Sequence, residues 1–561
     1  MNIKPILLTA SLIPAISFAQ SAVDALTLSQ SDIRGTARYM SMGGAFGALG
    51  GDLTTLSQNP AGIGVYRSNE IGITMDLNAL SAKSTSPGGS QSINRTPFEL
   101  NNVGGVLTLR LNSSVVPNLN FGFTYNRRAS FNRSYVGQFG QLNTSLTNWI
   151  AGLNNNQGVT VGDVTPTNGY NPYNPMDGGF QAPWISVLGY QAYLVNPIQN
   201  GDVTDWYGQW WDPLYDSAGN EVEPGTSGTG EFAVTESGGI DSFNIALGGN
   251  FGNVLYWGMD FDITNLNYTR NTYYGENLQN AYVQGSNGIE PVSSRWNLNN
   301  YYHVNGQGFA YKLGLIFKPI QELRIGFAFS TPTFYSLSQE YLGSAAYSYN
   351  GEAEQNQYTN QNLITNNGIP GLNYFRFRSP WKINVSAAGV IGSNFIISGE
   401  YEWAQYSKMK FNDPTSYYEW YTPTNYNTFD ADGTNSNIND YYKNTNTFKI
   451  GAEYRVTPQF SVRAGYANVS SPVKDNLKNG DVMVSTQELF PAYLLDETTN
   501  YITAGIGYRV KGFYADLAYV YKNQKATYHG FTDDPASLIS GPKASVSFNS
   551  NQVVLSLGYK F

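Results

Sequence analysis

Strict alternation of apolar and polar residues is the feature that most restricts the folds open to this chain. The C-terminal segment sets an apolar series against a polar series at alternate positions: Val553, Leu555, Leu557, Tyr559 and Phe561 against Gln552, Ser556, Gly558 and Lys560. Because successive side chains of a strand point to opposite faces, this period predicts strands with one apolar and one polar face. Elsewhere the polar face carries charge, as where Asp260 and Asp262 alternate with Met259 and Phe261.

The pattern recurs in 14 candidate strands, near residues 71, 103, 118, 241, 255, 308, 322, 380, 394, 447, 459, 501, 512 and 547. Short links at 252–253, 318–321, 392–394, 457–458 and 511–512 alternate with long links at 81–97, 131–239, 271–302, 337–374, 411–444, 471–498 and 523–544. A soluble sandwich also alternates, but this link pattern is typical of outer-membrane barrels, whose closure leaves no unpaired edge in hydrocarbon. We predict an all-β fold, a transmembrane antiparallel up-and-down barrel over residues 70–561, with extracellular long loops and both termini periplasmic.

The N-terminus and the composition agree with export to the outer membrane. Residues 1–19 combine Lys4, a short apolar stretch and a small residue at Ala19, which is typical of a signal peptide. Charged residues make up only 13% of the chain and form no basic stripe, which argues against a nucleic-acid partner. The chain has no cysteine, which excludes thiolate chemistry. The alternating aromatic end at Phe561 predicts contact with the outer-membrane assembly machinery, and we expect a monomer in contact with outer-membrane lipid.

Residues 20–69, between the signal peptide and the first strand, do not alternate. They are rich in Gly, Ala and Ser, and small residues allow backbones to pack closely, so this segment is predicted to fill the barrel as a plug, or hatch. The glycines from Gly43 onward superficially resemble a phosphate-binding loop, but no Gly-Lys-Ser or Gly-Lys-Thr follows. The run Asn59-Pro60-Ala61-Gly62 predicts a turn, because Pro fixes φ and Gly accepts a positive φ.

Several of these residues together resemble a known family. Arg38, the run Gly43-Gly44-Ala45-Phe46, Asp52 and the run Asn59-Pro60-Ala61-Gly62, followed directly by a barrel, are similar to the hatch of the FadL/TodX family of fatty-acid and hydrocarbon transporters. Residues 379–411, 448–473 and 501–521 resemble the C-terminal strands of that family, whereas 131–239 matches it weakly. The resemblance implies a 14-stranded barrel plugged by the hatch. It also implies that the protein captures an apolar ligand from outside and releases it sideways through a gap in the wall.

The polar face offers candidate lumenal contacts at Lys312, Arg324, Lys449 and Arg463. Because a buried charge needs a partner, these cations are expected either to hold the hatch or to meet a ligand carboxylate. Passive uptake of hydrophobic molecules such as long-chain fatty acids is the leading hypothesis, with haem or another apolar ligand as alternative cargo. A lipid hydrolase using His303 and an adhesin acting through its loops are further alternatives. Neither histidine has partners at metal-ligand spacing, so we expect no metal site. We also expect no cofactor, and we predict that the protein is not an enzyme.

Overall fold

The computed structural model describes residues 21–174, 180–200, 203–285, 288–351, 357–392, 394–414, 427–480, 482, 484, 489–533 and 540–561. The predicted signal peptide lies outside these residues. None of the described helices is long and apolar enough to cross a membrane.

Fourteen antiparallel strands form the wall of a closed barrel, as the sequence predicts. They are β1 Glu70–Ser86, β2 Phe98–Arg110, β3 Asn118–Ser130, β4 Ser227–Phe251, β5 Leu255–Gly285, β6 Gly288–Phe317, β7 Leu323–Ser330 with Phe334–Gly351, β8 Gly371–Arg378 with Lys382–Ile391, β9 Phe395–Ala404, β10 Thr445–Arg455, β11 Phe460–Val469, β12 Tyr493–Val510, β13 Phe513–His529 and β14 Lys543–Lys560. The barrel closes where β1 pairs with β14, from Glu70 opposite Lys560 to Thr85 opposite Ser545. One end of the barrel carries the short turns and the other carries the long links.

The two parities of each strand face opposite environments. Leu555 is 38% exposed on the outer surface, whereas its neighbour Ser556 is 1% exposed and faces the lumen. Phe327 and Ala328 show the same contrast. The apolar parity therefore forms an outward belt next to the short turns, which is the surface that a membrane barrel presents to lipid.

The wall continues well past this belt toward the long-link end. Within the predicted link 271–302, residues 271–285 and 288–302 belong to β5 and β6, strands of 31 and 30 residues. At ~3.3 Å per residue, such strands are roughly 100 Å long. Even when tilted by ~45°, they are too long to lie wholly within an apolar band ~25 Å tall, so they extend beyond it. Beyond the belt the alternation inverts, because Tyr274, Trp296 and Leu298 point inward and Asn277 and Asn299 point outward.

Inward apolar side chains at the long-link end form the largest core of the molecule. The described helices are α1 Ala22–Leu28, α2 Ala37–Ser41, α3 Thr55–Gln58, α4 Leu146–Gln157, α5 Val161–Val164, α6 Trp184–Gln191, α7 Thr428–Ala431, α8 Thr434–Tyr441 and α9 Asp475–Asn479. Shorter strands at Gly89–Arg95, Arg133–Phe139, Asn196–Asn200, Val203–Tyr207, Leu214–Tyr215, Glu221–Glu223, Gln357–Ile364 and Lys410–Asn412 complete the long links. Segment 131–239, which resembles the family only weakly, contributes α4 and α6 to this core.

Three neighbouring strands are interrupted at the same height of the wall. β7 breaks at residues 331–333 and β8 at residues 379–381, so that Pro332 and Pro380 lie in facing gaps between paired segments. Strand β9 breaks beside them, and residues 405–409 separate Ala404 from the short strand Lys410–Asn412. Proline has no backbone N–H to donate, so the ladder of hydrogen bonds is thinned here. We call this place the seam.

Candidate functional site

Residues 21–69 run through the lumen from the long-link core down to the short-turn end. Helix α1 is buried in the long-link core, where the hydroxyl of Ser29 lies 3.1 Å from the sulfur of Met409. The segment ends at the short-turn end, where Asn69 and Phe561 exchange two backbone hydrogen bonds. Residue 21 therefore lies inside the long-link core and Phe561 lies at the short-turn end, and the periplasmic location of both termini stays a prediction.

The run Asn59-Pro60-Ala61-Gly62 forms a turn that lies flat on the wall. The Asn59 side chain accepts a hydrogen bond from the backbone N–H of Ala61 (3.1 Å) and donates to the carbonyls of Gly47 (2.6 Å) and Leu315 (3.4 Å). Pro60 begins a 3₁₀ turn that extends to Val65. Below the turn, three glycines pair across β4, β5 and β6: Gly248, Gly258 and Gly314. A Cβ at Gly314 would collide with the Asn59 side chain, so these wall positions need glycine for the turn to approach.

Arg38 ties the hatch to the opposite side of the wall. Its guanidinium makes two hydrogen bonds to Glu453, at 2.9 and 3.2 Å, and Arg463 joins Glu453 to Asp516 at 2.6 Å on each side. Such bidentate, charge-assisted bonds hold both position and orientation. The sequence predicted Arg38 as a hatch residue and Arg463 as a lumenal cation. The fold brings both side chains onto the carboxylate of Glu453.

The other hatch residues on which the family resemblance rests keep the segment compact. Gly43 and Gly44 have φ values of +62° and +75°, in the region that favours glycine. A Cβ on Gly43 would also strike the backbone of Tyr466 in β11. Asp52 accepts hydrogen bonds from the Thr36 hydroxyl (2.8 Å) and from the backbone N–H of Thr54 (2.9 Å), which ties two parts of the hatch to each other.

The remaining candidate cations divide between the wall and the hatch. Lys312 lies 2.6 Å from Asp262 and 3.4 Å from Asp260, so wall carboxylates already compensate its charge. Lys449 lies 2.8 Å from Glu400, a carboxylate that also accepts hydrogen bonds from hatch groups. Arg324 donates to the hatch carbonyl of Leu49 at 2.6 Å.

A cavity of about 150 Å³ lies between the hatch and the wall at the height of the seam. The lining includes Lys312 and Lys449 from the candidate set, together with other cations and seam residues: Arg34, Arg127, Arg128, Lys382, Thr331, Thr333 and Pro380. Two acids, Asp32 and Glu402, also line it. A cavity of this volume holds about one benzene-sized group. It can therefore take the polar end of a larger amphipathic molecule.

Arg128 is the cavity residue that the sequence did not reveal. Strand β4 pairs Ile240 with Ala129 and then Asp241 with Arg127, so Arg128 is the extra residue of a β-bulge in β3. Its backbone carbonyl accepts a hydrogen bond from the N–H of Asp32 in the hatch (3.0 Å), and its guanidinium donates to the Thr333 hydroxyl at the seam (3.1 Å). Within the part of the chain that the structure describes, no carboxylate lies within 4.0 Å of this guanidinium. A bulge is a common means of re-aiming a side chain beside a functional site.

Helix α4 docks onto the wall through one buried acid above the cavity. The Glu276 carboxylate of β5 accepts hydrogen bonds from the Ser145 hydroxyl, the backbone N–H of Leu146 (2.9 Å) and the Tyr274 hydroxyl (2.9 Å). Burial raises the pKa of Glu276 to about 7. The helix N-terminus and its anchor thus form a contact whose protonation changes near neutral pH.

The structure places His303 away from the lumen. Its ring stacks on Tyr301 and lies 2.9 Å from the Thr269 hydroxyl and 2.9 Å from the Asn305 amide, on the outer parity of β6. Over the described ranges, no group of three or more His, Cys, Asp or Glu residues could hold a metal ion.

A closed barrel with an apolar outer belt, a charged lumen and an N-terminal plug is the architecture of an outer-membrane transport protein. The model of the family "Outer membrane protein transport protein (OMPP1/FadL/TodX)" matches residues 264–561. This match covers more than half of the chain, and the chain belongs to that family. Its members are transport channels rather than enzymes.

Three solved structures give the scale of the similarity. The chain is similar to a Pseudomonas aeruginosa FadL homologue, with 12% identity, coverage of 95% of this chain and 99% of that one, and a TM-score of 0.48. It is similar to the P. putida toluene transporter TodX, with 12% identity, 94% and 99% coverage and a TM-score of 0.44. It is also similar to the Ralstonia pickettii toluene transporter TbuX, with 14% identity, 94% and 99% coverage and a TM-score of 0.40. No curated protein matches the chain.

Proposed function

We propose that this protein takes up hydrophobic molecules that end in an acid group, long-chain fatty acids above all, by passive passage across the outer membrane. In this proposal the long-link end faces outward and the short-turn end faces the periplasm. Arg128 carries the proposal. It is a bulged cation on the cavity that donates to a neutral hydroxyl instead of a carboxylate.

The order of environments along the lumen supports an amphipathic ligand. The apolar core at the long-link end suits an alkyl chain, and the cavity below it suits the carboxylate. A carboxylate is a better acceptor for guanidinium than a hydroxyl is, because charge-assisted hydrogen bonds are roughly twice as strong as neutral ones. Haem also carries carboxylates, but a porphyrin exceeds a cavity of about 150 Å³ and would need the hatch to move away.

Arg128→Gln tests the carboxylate contact. The bond lost is a hydrogen bond to a charged group, worth ~1.5–3 kcal/mol, so the Kd for oleate should rise roughly 10- to 150-fold. The Kd for oleyl alcohol, which has the same chain without the acid, should stay nearly unchanged. Lys525→Gln, which removes an exposed cation outside the lumen, is the matched control.

Uptake of labelled oleate by cells that lack their own fatty-acid transporter gives the functional measurement. Cells expressing the protein should take up oleate faster than empty-vector cells, without a requirement for an energized membrane. Uptake no faster than in empty-vector cells would overturn the proposal, as would equal losses of oleate and oleyl alcohol binding in the Arg128 variant.

The seam is the proposed exit from the cavity toward the bilayer. Thr331, Thr333 and Pro380 line the cavity and also belong to the interrupted wall. Strands β7 and β8 remain joined there by two bonds, from the Ser379 N–H to the Thr333 carbonyl (3.1 Å) and from the Thr333 N–H to the Ser379 hydroxyl (2.9 Å). The chain has no native cysteine, so Thr333→Cys with Ser379→Cys can lock the seam cleanly. Oxidation should slow oleate uptake and reduction should restore it; equal uptake in both states would exclude this exit.

A further inference from the structure

The outer surface beside the seam carries a cluster of four cations: Arg376, Arg378, Lys408 and Lys410. Phe375 and Phe377 are buried on the inner parity, so the arginines between and beside them point outward with the exposed Tyr374. Register places Arg378 opposite Lys410, which brings the cluster onto adjacent strands. We call these four residues the outer cationic cluster.

Negative charge offsets this cluster only in part. The guanidinium groups donate to backbone carbonyls, Arg376 to that of Asp413 (2.9 Å) and Arg378 to that of Lys408 (3.3 Å). Lys410 pairs with Asp430 at 2.8 Å, and both side chains are partly exposed. The Asp413 carboxylate is occupied by the backbone N–H and hydroxyl of Thr428, at 2.8 and 3.0 Å. Asp432 interacts with both Asp413 and Asp430, so four cations against three acids leave the described part of the patch with one net positive charge.

Aromatic residues place the cluster just outside the apolar belt. Trp381 and Trp403 contact each other at 4.8 Å between ring centroids, and Trp403 pairs with Asn446, the acceptor for the Tyr401 hydroxyl. The same outward Tyr-to-Asn hydrogen bond recurs around the wall at Tyr466, Tyr519 and Tyr521. Aromatic girdles of membrane barrels lie at the lipid–water interface. Arg378 is three residues past Trp381, or roughly 10 Å along the strand toward the long-link end.

We propose that the outer cationic cluster binds the phosphate-bearing head group of an outer-leaflet lipid of the lipid A type. The acyl chains of that lipid would lie on Trp381, Trp403 and the apolar belt below them. Arginine suits this partner, since its planar fork binds phosphate oxygens in pairs. The inference uses the outward orientation of the long links given under the proposed function, but it does not depend on which molecule is transported.

Lipid titration followed by native mass spectrometry tests the site on the full chain. The purified barrel in detergent is titrated with bis-phosphorylated lipid A and with the same lipid after removal of both phosphates. Each cation near an anionic lipid surface is worth about a five-fold change in affinity, so Arg376→Gln with Arg378→Gln should weaken bis-phosphorylated lipid A roughly 25-fold. Lys474→Gln with Lys478→Gln, an equal loss of charge on helix α9 and the residue preceding it, should leave the affinity unchanged.

Two further variants separate binding from folding. Lys408→Gln should weaken binding about five-fold without disturbing the wall, because its side chain makes no hydrogen bond or ion pair with the described residues. Arg376→Lys with Arg378→Lys should recover part of the affinity. Equal affinity of wild type and the double glutamine variant for bis-phosphorylated lipid A would overturn the proposal. It would also fall if the wild type bound the dephosphorylated lipid as tightly.

Discussion

Loss of the Asn59 side chain should open the hatch measurably. The side chain caps the 3₁₀ turn through Ala61 and satisfies the buried carbonyl of Gly47. Loss of a cap costs ~0.5–2 kcal/mol, and an unsatisfied buried carbonyl costs ~1–3 kcal/mol. Asn59→Ala should therefore destabilise the seated hatch by roughly 1.5–5 kcal/mol, which multiplies the population of the displaced hatch by roughly 10- to 5,000-fold.

Single-channel recording in planar bilayers measures this population directly. The variant should show more frequent and longer openings to small ions than the wild type at equal amounts of inserted barrel. Asn277→Ala removes the same amide from the exposed face of β5 and serves as the control. Equal open probability in the Asn59 and Asn277 variants would refute the idea that this turn anchors the plug.

Three other outcomes follow from the fold. Deletion of residues 20–69 should leave an assembled barrel, since the strands carry the ladder, but planar-bilayer conductance should rise because only the long-link core then closes the lumen; a barrel as tight as the intact one would show that these residues are not the plug. Phe327→Arg, in the apolar belt, should cost ~2–4 kcal/mol in folding into lipid vesicles, whereas Leu372→Arg, beyond the belt, should cost ~0–1 kcal/mol; equal costs would misplace the belt. The docking of α4 should be strongest below the ordinary Glu276 pKa of 4.5 and should weaken as pH rises through about 7, because the raised pKa favours the protonated docked form. Hydrogen exchange at the Leu146 amide, corrected for its intrinsic pH dependence, should show this trend, and Glu276→Gln should abolish it.

The period-2 pattern and the alternation of short and long links were together sufficient to predict the barrel. Whether Leu555 faces lipid and Ser556 faces the lumen is decided by a local alternation that each strand carries in its own sequence. The count of alternating segments predicted the strand number, and the link lengths predicted the two unlike ends. These features need no knowledge of which residues meet across the lumen.

The same reasoning failed where the surroundings of the wall change. Beyond the apolar belt, water replaces lipid outside and a packed core replaces the polar lumen, so apolar residues such as Trp296 switch to the inner parity. A strand with its apolar residues facing inward does not match the pattern of apolar residues facing lipid, so such a segment was predicted to be a loop. Residues 271–302 were therefore predicted as a link although residues 271–285 and 288–302 continue β5 and β6.

The sequence by itself determined the alternating membrane strands and indicated that the non-alternating segment before them is a plug. Only the tertiary structure decided which charges share a partner, such as Arg38 and Arg463 on Glu453, and which cation of the cavity has no carboxylate within 4.0 Å among the described residues. Arg128 reaches the cavity because one residue is added to β3 at its pairing with β4, and the seam exists because Pro332 and Pro380 fall at one height. The position of Arg128 and the seam both depend on the register between strands. That register is set by contacts across the whole barrel and cannot be predicted from any single segment.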